Sequence, residues 1–253
     1  MGGYNLRAGL FLMSISRLAT KQYSVEPDVS GCIFNGAGSD GLTRSISLAA
    51  TTQVTVNFIV RPRTTDFTYI WNVQQSSTLG DNSHVININS GTTLDAFFRN
   101  TAGTEVFRMQ YAGLTLTNVY HITFSFDTSN TSKRHLIVNG VDVTGSASFL
   151  DYGGTIESAS SRDTDIMHFD ELSRYPYGDL GEFYYDNAYM DLSSSNPFLI
   201  PGTLSPRNLA QVISATGVTP DIALPINISD PGNNLGTAGD FTLVGSIDEA
   251  TFY

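Results

Sequence analysis

Residues Val119–Val143, VYHITFSFDTSNTSKRHLIVNGVDV, predict the fold of this chain more strongly than any other stretch. Apolar and aromatic side chains alternate with polar ones, so that Tyr120, Ile122 and Phe124 share one face of an extended strand. A loop of turn-forming residues follows, and a second apolar run ends at Asn139-Gly140, a pair that favours a two-residue hairpin turn. The stretch therefore predicts two consecutive antiparallel hairpins.

Strand patterns of the same kind recur along most of the 253 residues. They predict strands at 53–60, 67–73, 84–89, 94–99, 105–111, 179–185, 222–228 and 241–244. Many short strands separated by turn residues indicate an all-β fold, a jelly-roll β-sandwich of two antiparallel sheets. One short helix is predicted over 206–214, because Ser205 is a suitable N-cap and Pro206 suits the first helical position.

The first 25 residues differ from the rest of the chain and predict an N-terminal arm ahead of one sandwich domain at 26–253. This segment is basic, whereas the remainder is acidic. Its apolar patch must be buried against either the domain or a neighbouring subunit. The patch consists of Leu10, Phe11, Leu12 and Met13.

Charge and hydropathy exclude two classes of partner. The formal net charge is −11, and the chain has only two lysines, so binding to a nucleic-acid backbone is not expected. No apolar run approaches the roughly 18 residues of a membrane-spanning helix, so no membrane partner is expected either. The single cysteine, Cys32, excludes a disulfide within the chain and predicts a small core residue.

The usual catalytic spacings are missing, and the sequence therefore predicts a protein that is not an enzyme. None of the six glutamates forms the Glu-x-Asp-x-Glu pattern that places two carboxylates on one strand face for glycoside hydrolysis. The four histidines lack both a Gly-x-Ser-x-Gly partner and a His-Glu-x-x-His pair. His121 faces away from Tyr120 and should pack beside a neighbouring strand, and Trp71 should lie in the core.

Five segments occur in an order typical of one superfamily. They are the Gly-rich turn 34–42, the strand 54–62 that ends in Arg-Pro, the Tyr-His-Ile-x-Phe-x-Phe-Asp strand 120–127, the Val-Asn-Gly turn 138–140 and the late strand 178–186. This order resembles the concanavalin A-like lectin/glucanase superfamily, specifically its laminin-G-like and pentraxin-like members. Tyr120 departs conservatively from the family, which often has Trp there.

The C-terminal region carries a second resemblance. Residues 184–193 and 233–245 are similar to parts of tailed-bacteriophage virion proteins that contain this domain. The resemblance implies a structural or appendage protein of the virion, in a capsid decoration, tail or fibre. Its partners would then be other virion proteins and copies of itself, with host-surface glycans as a further ligand. The alternative is a carbohydrate-binding lectin module that acts alone.

A glycan site needs exposed aromatic side chains beside polar loops. Tyr152, Tyr175 and Tyr177 are the candidates, since all three lie in loop-like sequence rich in glycine or proline. Trp71 lies between apolar strand residues and is a weaker candidate.

Calcium is the ion that the superfamily resemblance implies, held by loop carboxylates and backbone oxygens. The candidate ligands are Asp127, Asp163 and Asp165. Their spacing matches no EF-hand loop, and aspartate is also an ordinary turn residue, so a purely structural role stands beside the metal role.

Overall fold

The strands form two antiparallel sheets that enclose one core in the computed structural model. The structure describes residues 29, 31–35, 40–74, 82–157, 159–168, 177–250 and 252. Sheet A contains β1 (Gly31–Asn35), β3 (Gln53–Pro62), β8 (Tyr120–Asp127), β9 (Arg134–Val138), β10 (Val141–Asp142), β13 (Tyr177–Asp186), β14 (Ile222–Leu224) and β16 (Ile247–Ala250). Sheet B contains β2 (Gly41–Leu48), β4 (Thr68–Gln74), β5 (Asn82–Asn89), β6 (Thr93–Arg99), β7 (Glu105–Tyr111), β11 (Ser148–Asp151), β12 (Ala159–Ile166) and β15 (Thr242–Val244). The predicted jelly-roll β-sandwich is confirmed.

Strands that are distant in sequence lie side by side in both sheets. Sheet A has the order β10-β9-β8-β3-β13-β1-β16, with β14 also paired to β13, and sheet B has the order β11-β7-β6-β5-β4-β12-β2-β15. In the middle of sheet A, Val56 of β3 lies between Phe124 of β8 and Tyr185 of β13. The hydrogen bonds that hold the sandwich are therefore mostly long-range.

Both predicted hairpins are present. β8 pairs with β9 through Ile122 opposite Val138, and β9 pairs with β10 through Val138 opposite Val141. The second turn has left-handed backbone at both central residues, with φ of 50° at Asn139 and 74° at Gly140. Positive φ at both positions is the requirement of a type I′ hairpin turn, which is why the Asn-Gly pair stands here.

Aromatic side chains fill the space between the sheets. The rings of Trp71 and Tyr185 lie 4.4 Å apart between centroids, and those of Phe107 and Phe126 stack at 3.5 Å. Trp71 and Cys32 are fully buried, as predicted. Because each ring removes a large apolar area from water, this layer is the main source of the stability of the sandwich.

The outer face of sheet A is covered by the chain that follows β13. Thr55 donates its hydroxyl to the Ala188 carbonyl at 2.6 Å, and the Met190 N–H donates to Ser125 Oγ at 2.9 Å. All eight residues of β8 are consequently buried, although only alternate ones are apolar. The polar side of this strand is a second, hydrogen-bonded interior layer.

Helix α1 (Leu209–Thr216) continues this cover. Leu209 and Val212 point into a small apolar cluster with Tyr184 and Phe198, whose rings meet edge to face at 4.9 Å. Of the residues that the structure describes, none belongs to a helix long and apolar enough to cross a bilayer.

The predicted position of this helix, 206–214, is wrong at its start. Asn208, rather than Ser205, is the N-cap, and it forms a capping box with Gln211. Pro206 lies before the helix in extended backbone that bridges to Leu199. Because this bridge keeps the chain extended at Pro206, the helix begins three residues later than predicted.

Two other elements also differ from the prediction. Residues 159–163, a polar stretch for which no strand is predicted, belong to β12, because pairing of this strand with β2 and β4 overrides its weak strand propensity. The strand predicted at 222–228 ends at Leu224, since Pro225 follows and Ile226 has a φ of 50°. The arm residues Leu10, Phe11, Leu12 and Met13 lie outside the described residues.

Candidate functional site

Sheet B presents side chains outward at the edge formed by β6, β7 and β11. Successive residues of a strand point to opposite faces of the sheet, so the residues that alternate with the core residues point outward here. Leu150 and Tyr152 are the most exposed, at 46% and 61%. The Tyr152 N–H donates to the Val106 carbonyl at 3.0 Å, which holds Tyr152 beside β7 just after β11 ends.

An arginine–carboxylate pair lies next to these apolar side chains. Arg108 opposes Leu150 across the strand pair, and it donates to both oxygens of Asp95, from Nε at 3.0 Å and from Nη2 at 2.6 Å. Gln110 Nε2 donates to the same carboxylate at 3.3 Å. Two parallel bonds fix the guanidinium plane and leave its other N–H groups directed away from Asp95.

A partly buried ring on the neighbouring strand supports the arginine. Phe97 opposes Arg108 on β6, and the guanidinium carbons of Arg99 and Arg108 lie 4.9 Å and 5.9 Å from its centroid. Glu105 lies 3.9 Å from both arginines. The hydrogen bond to Asp95, with the charges of Asp95, Glu105 and Tyr152, raises the pKa of Arg108 against the opposing effect of burial. Arg108 is therefore a fixed, permanent cation.

We call this surface the Tyr152 face. Its members are Asp95, Phe97, Arg108, Gln110, Leu150 and Tyr152. An exposed tyrosine ring beside oriented donors and a carboxylate can stack on an apolar surface while hydrogen-bonding polar groups at its rim. Because both oxygens of Asp95 already accept hydrogen bonds, the surface is suited to binding and offers no free pair of carboxylates for acid–base work.

The structure does not bring the three predicted tyrosines into one described site. Tyr152 lies on the Tyr152 face of sheet B. Tyr177 begins β13 in sheet A, is 37% exposed and opposes Asn35 of β1. Tyr175 lies outside the described residues.

The three predicted calcium ligands do not meet either. Asp127 ends β8 in sheet A, and its carboxylate accepts hydrogen bonds from Gln53 and Ser129 with Lys133 at 3.6 Å. These bonds and the lysine outweigh desolvation, the largest single effect, and lower the pKa of Asp127. Asp127 thus stabilises the loop that follows β8.

Asp163 and Asp165 both lie within β12 of sheet B instead of in a loop. Asp163 is exposed, whereas Asp165 is buried with its Oδ1 3.5 Å from His168 Nδ1. Across the described ranges, no three histidine, cysteine, aspartate or glutamate side chains gather in a way that could hold a metal ion.

The large pKa shifts of the described carboxylates and histidines lie instead on the covered side of sheet A. Burial lowers the pKa of His121 to about 3 and raises that of Glu182 to about 8. Asn57 connects the two, since its Oδ1 accepts from His121 Nε2 at 2.5 Å and its Nδ2 donates to the Glu182 carbonyl. His121 thus packs against the neighbouring strand β3, as predicted. Burial first, and Asp221 second, raise the pKa of Asp186 to about 6.

Sequence reasoning missed Arg108, Asp95 and Gln110. Each is separated from its partner by a hairpin, and the pairing register that places Asp95 opposite Gln110 and Phe97 opposite Arg108 is a property of the folded sheet. In the sequence, polar and apolar residues alternate along 94–99 and 105–111. This alternation predicts the two strands but not the register in which they pair.

Solved structures share this fold. A heptameric SAP-like pentraxin from Limulus polyphemus is 13% identical with a TM-score of 0.56, over 89% of this chain and 96% of that one. A protein from Bacteroides ovatus assigned as carbohydrate-binding is also 13% identical, with a TM-score of 0.51, over 88% of this chain and 59% of that one. No protein-family model matches the sequence, and no curated protein does. At such identities the likeness shows the fold alone.

Proposed function

We propose that this protein is a non-enzymatic carbohydrate-binding module and that its glycan site is the Tyr152 face. The observation that carries the proposal is Tyr152, 61% exposed beside the hydrogen-bonded group of Arg108, Asp95 and Gln110. The fold shared with a protein assigned as carbohydrate-binding supports it.

The chemistry of a sugar matches this surface. One side of a pyranose ring presents C–H groups that can lie on the tyrosine ring, while its hydroxyls both donate and accept. The N–H groups of Arg108 that point away from Asp95 supply donors, and the carboxylate of Glu105 beside Arg108 supplies an acceptor. Because Arg108 is already fixed by Asp95 and Phe97, little side-chain entropy is lost on binding.

Binding on a glycan array, followed by calorimetric titration of the selected glycan, tests this proposal. Tyr152→Ala should weaken binding by about tenfold or more, the loss typical of an aromatic anchor removed from a binding surface. Val218→Ala is the matched control, since Val218 is 39% exposed and lies just after α1, away from the Tyr152 face. Equal affinity of the Tyr152→Ala variant and the parent would refute the site.

Tyr177→Ala separates the two described tyrosine candidates. Tyr177 belongs to sheet A, so its truncation should leave the affinity unchanged if the Tyr152 face is the site. Loss of binding in Tyr177→Ala with full binding in Tyr152→Ala would move the site to the start of β13.

We further propose that the module serves as a structural or appendage protein of a virion. The sequence resemblance at 184–193 and 233–245 supports this role. Deletion of residues 1–25, which contain the apolar patch of the predicted arm, should abolish incorporation into particles, as measured by mass spectrometry of purified virions. Normal incorporation of the truncated chain would exclude the arm as the docking element.

A further inference from the structure

Strand β11 is the last strand of sheet B, and its outer edge carries backbone groups without a partner strand. Within the described part of the chain, β11 pairs with β7 alone. The Tyr152 N–H donates to the Val106 carbonyl, so the hydrogen bonds to β7 come from every second residue counted back from Tyr152. The N–H and C=O groups of Phe149 and Asp151 therefore point away from β7, and no hydrogen bond between described residues reaches them.

This edge is open to solvent. Ser148 and Leu150 are exposed, and Phe149 and Asp151 are partly exposed. Edge strands are usually protected by a lysine, a proline or a bulge, because an open edge can pair with another strand. β11 contains neither a lysine nor a proline, and its register with β7 is regular. Its one charged side chain is that of Asp151.

Two charges of opposite sign lie behind this edge. Phe149 packs inward against Phe107, and the guanidinium carbon of Arg134 on β9 lies 4.9 Å from the centroid of the Phe149 ring. Asp151 follows Phe149 by two residues and so lies on the same side of the strand. Neither Arg134 nor Asp151 takes part in a salt bridge between described residues.

We propose that β11 pairs with β11 of a second copy of this chain, antiparallel and around a two-fold axis at Leu150. Phe149 of each copy then opposes Asp151 of the other, and the free N–H and C=O groups of both residues are all hydrogen-bonded. Leu150 meets its own symmetry mate, which buries an exposed apolar side chain. Arg134 lies over Phe149 and is therefore placed beside Asp151 of the second copy.

The charges are the reason for choosing a second copy as the partner. An inward-pointing carboxylate on an edge strand opposes pairing with a strand that brings no cation to it. A second copy brings Arg134 to each Asp151, and the two-fold axis forms this ion pair twice. The contact is small for a protein interface, so the dimer should be reversible. It joins two B sheets into one and places two Tyr152 faces on the same surface.

Sedimentation equilibrium of the full chain, without glycan, measures this association. We expect a monomer–dimer equilibrium with a dissociation constant of about 100 µM or below. The dimer should weaken as the ionic strength rises, because salt screens ion pairs that are partly exposed. A monomer at every concentration up to about 1 mM, or a dimer that salt does not affect, would overturn the proposal.

Charge reversal tests the ion pair. Arg134→Glu and Asp151→Lys should each weaken the dimer by about tenfold or more, because like charges then meet at both positions. Asp163→Lys is the matched control, since it makes the same change of charge at an exposed residue of β12, four strands beyond β7 in sheet B. Its dissociation constant should equal that of the parent. Equal association in Asp151→Lys and Asp163→Lys would contradict the assignment.

An equimolar mixture of the Arg134→Glu and Asp151→Lys chains gives the sharpest result. In a mixed dimer the introduced glutamate faces the introduced lysine, and the remaining Arg134 faces the remaining Asp151. Mixing should therefore restore association close to that of the parent. A fold defect in one variant, or an ion pair within one chain, is not repaired by mixing, so folded variants that fail to associate when mixed would refute the pairing.

This inference does not rest on the proposed glycan site. Arg134 lies outside the Tyr152 face, so Arg134→Glu should bind a monovalent glycan as tightly as the parent does. Tyr152→Ala should leave the dissociation constant of the dimer within about twofold of the parent value, because the Tyr152 ring is not needed for the backbone pairing. Failure of the glycan proposal and failure of this one are therefore distinguishable.

Discussion

Glu182 shows how one residue can link a strand to the helix that covers it. It lies in β13 where the pairing with β3 is interrupted, and it has a φ of 50°. This backbone turns its side chain towards α1, where Oε2 accepts the Leu209 N–H at 2.8 Å. Burial raises its pKa to about 8 although this hydrogen bond favours the charged form. The carboxyl group is therefore mostly protonated at neutral pH.

The raised pKa predicts a pH-dependent stability that Glu182→Gln should remove. The native state binds this proton more tightly than the unfolded chain, in which the glutamate pKa is near its ordinary value of 4.5. The stabilising contribution is thus fully present below pH 4.5 and is lost as the pH rises through about 8. Relative to the parent, Glu182→Gln should gain stability between these values, as measured by thermal unfolding at a series of pH values.

The control for this series is Glu249→Gln, because Glu249 is exposed on β16. The difference between this variant and the parent should stay constant across the same pH range. A similarly constant difference for Glu182→Gln would show that the Glu182 carboxyl is ionised and solvated in the folded protein.

At the scale of elements, the hairpin turn between β9 and β10 packs against Leu199 and Leu204, in the chain before α1. A Cβ added at Gly140 would lie 2.6 Å from Leu204 Cδ2, and the backbone there already has positive φ. Leu204 belongs to the loop that precedes α1. The glycine is required by the turn, whereas the exposed Leu204 side chain can move to make room for a Cβ.

Gly140→Ala should therefore destabilise the protein by about 1–2 kcal/mol, the cost of a left-handed backbone for a residue that carries a Cβ. Gly145→Ala is the matched control, since a Cβ at Gly145 meets no atom within 4 Å. Denaturant unfolding of both variants measures the difference. Equal stability of the two would mean that the Asn139-Gly140 turn relaxes at no cost.

The elements also show what the sequence could predict. The hairpins followed from the alternation at Tyr120–Phe126 and from Asn139-Gly140, because both are local signals. The start of α1 was wrong by three residues, since the bridge from Leu199 to Pro206 joins the ends of a loop and leaves no mark in the local pattern. The Tyr152 face was predicted only at Tyr152, because its other members meet through strand register.

At the scale of the whole molecule, the two sheets differ in what they show to solvent. The chain after β13 and helix α1 bury the outer side of sheet A, including the polar residues His121, Thr123 and Ser125. At the opposite edge, sheet B keeps Leu150 of β11 and the following Tyr152 exposed to solvent. Alternation along a strand predicts that it has two faces, but a distant segment decides which face is covered. This asymmetry is the physical reason for placing the glycan site on sheet B.

The most direct test of this placement is amide chemical-shift mapping of the labelled protein with the glycan that the array selects. The largest changes should occur at Asp95, Arg108, Leu150 and Tyr152, with none at the start of β13. Changes confined to Tyr177 and its neighbours would contradict this placement.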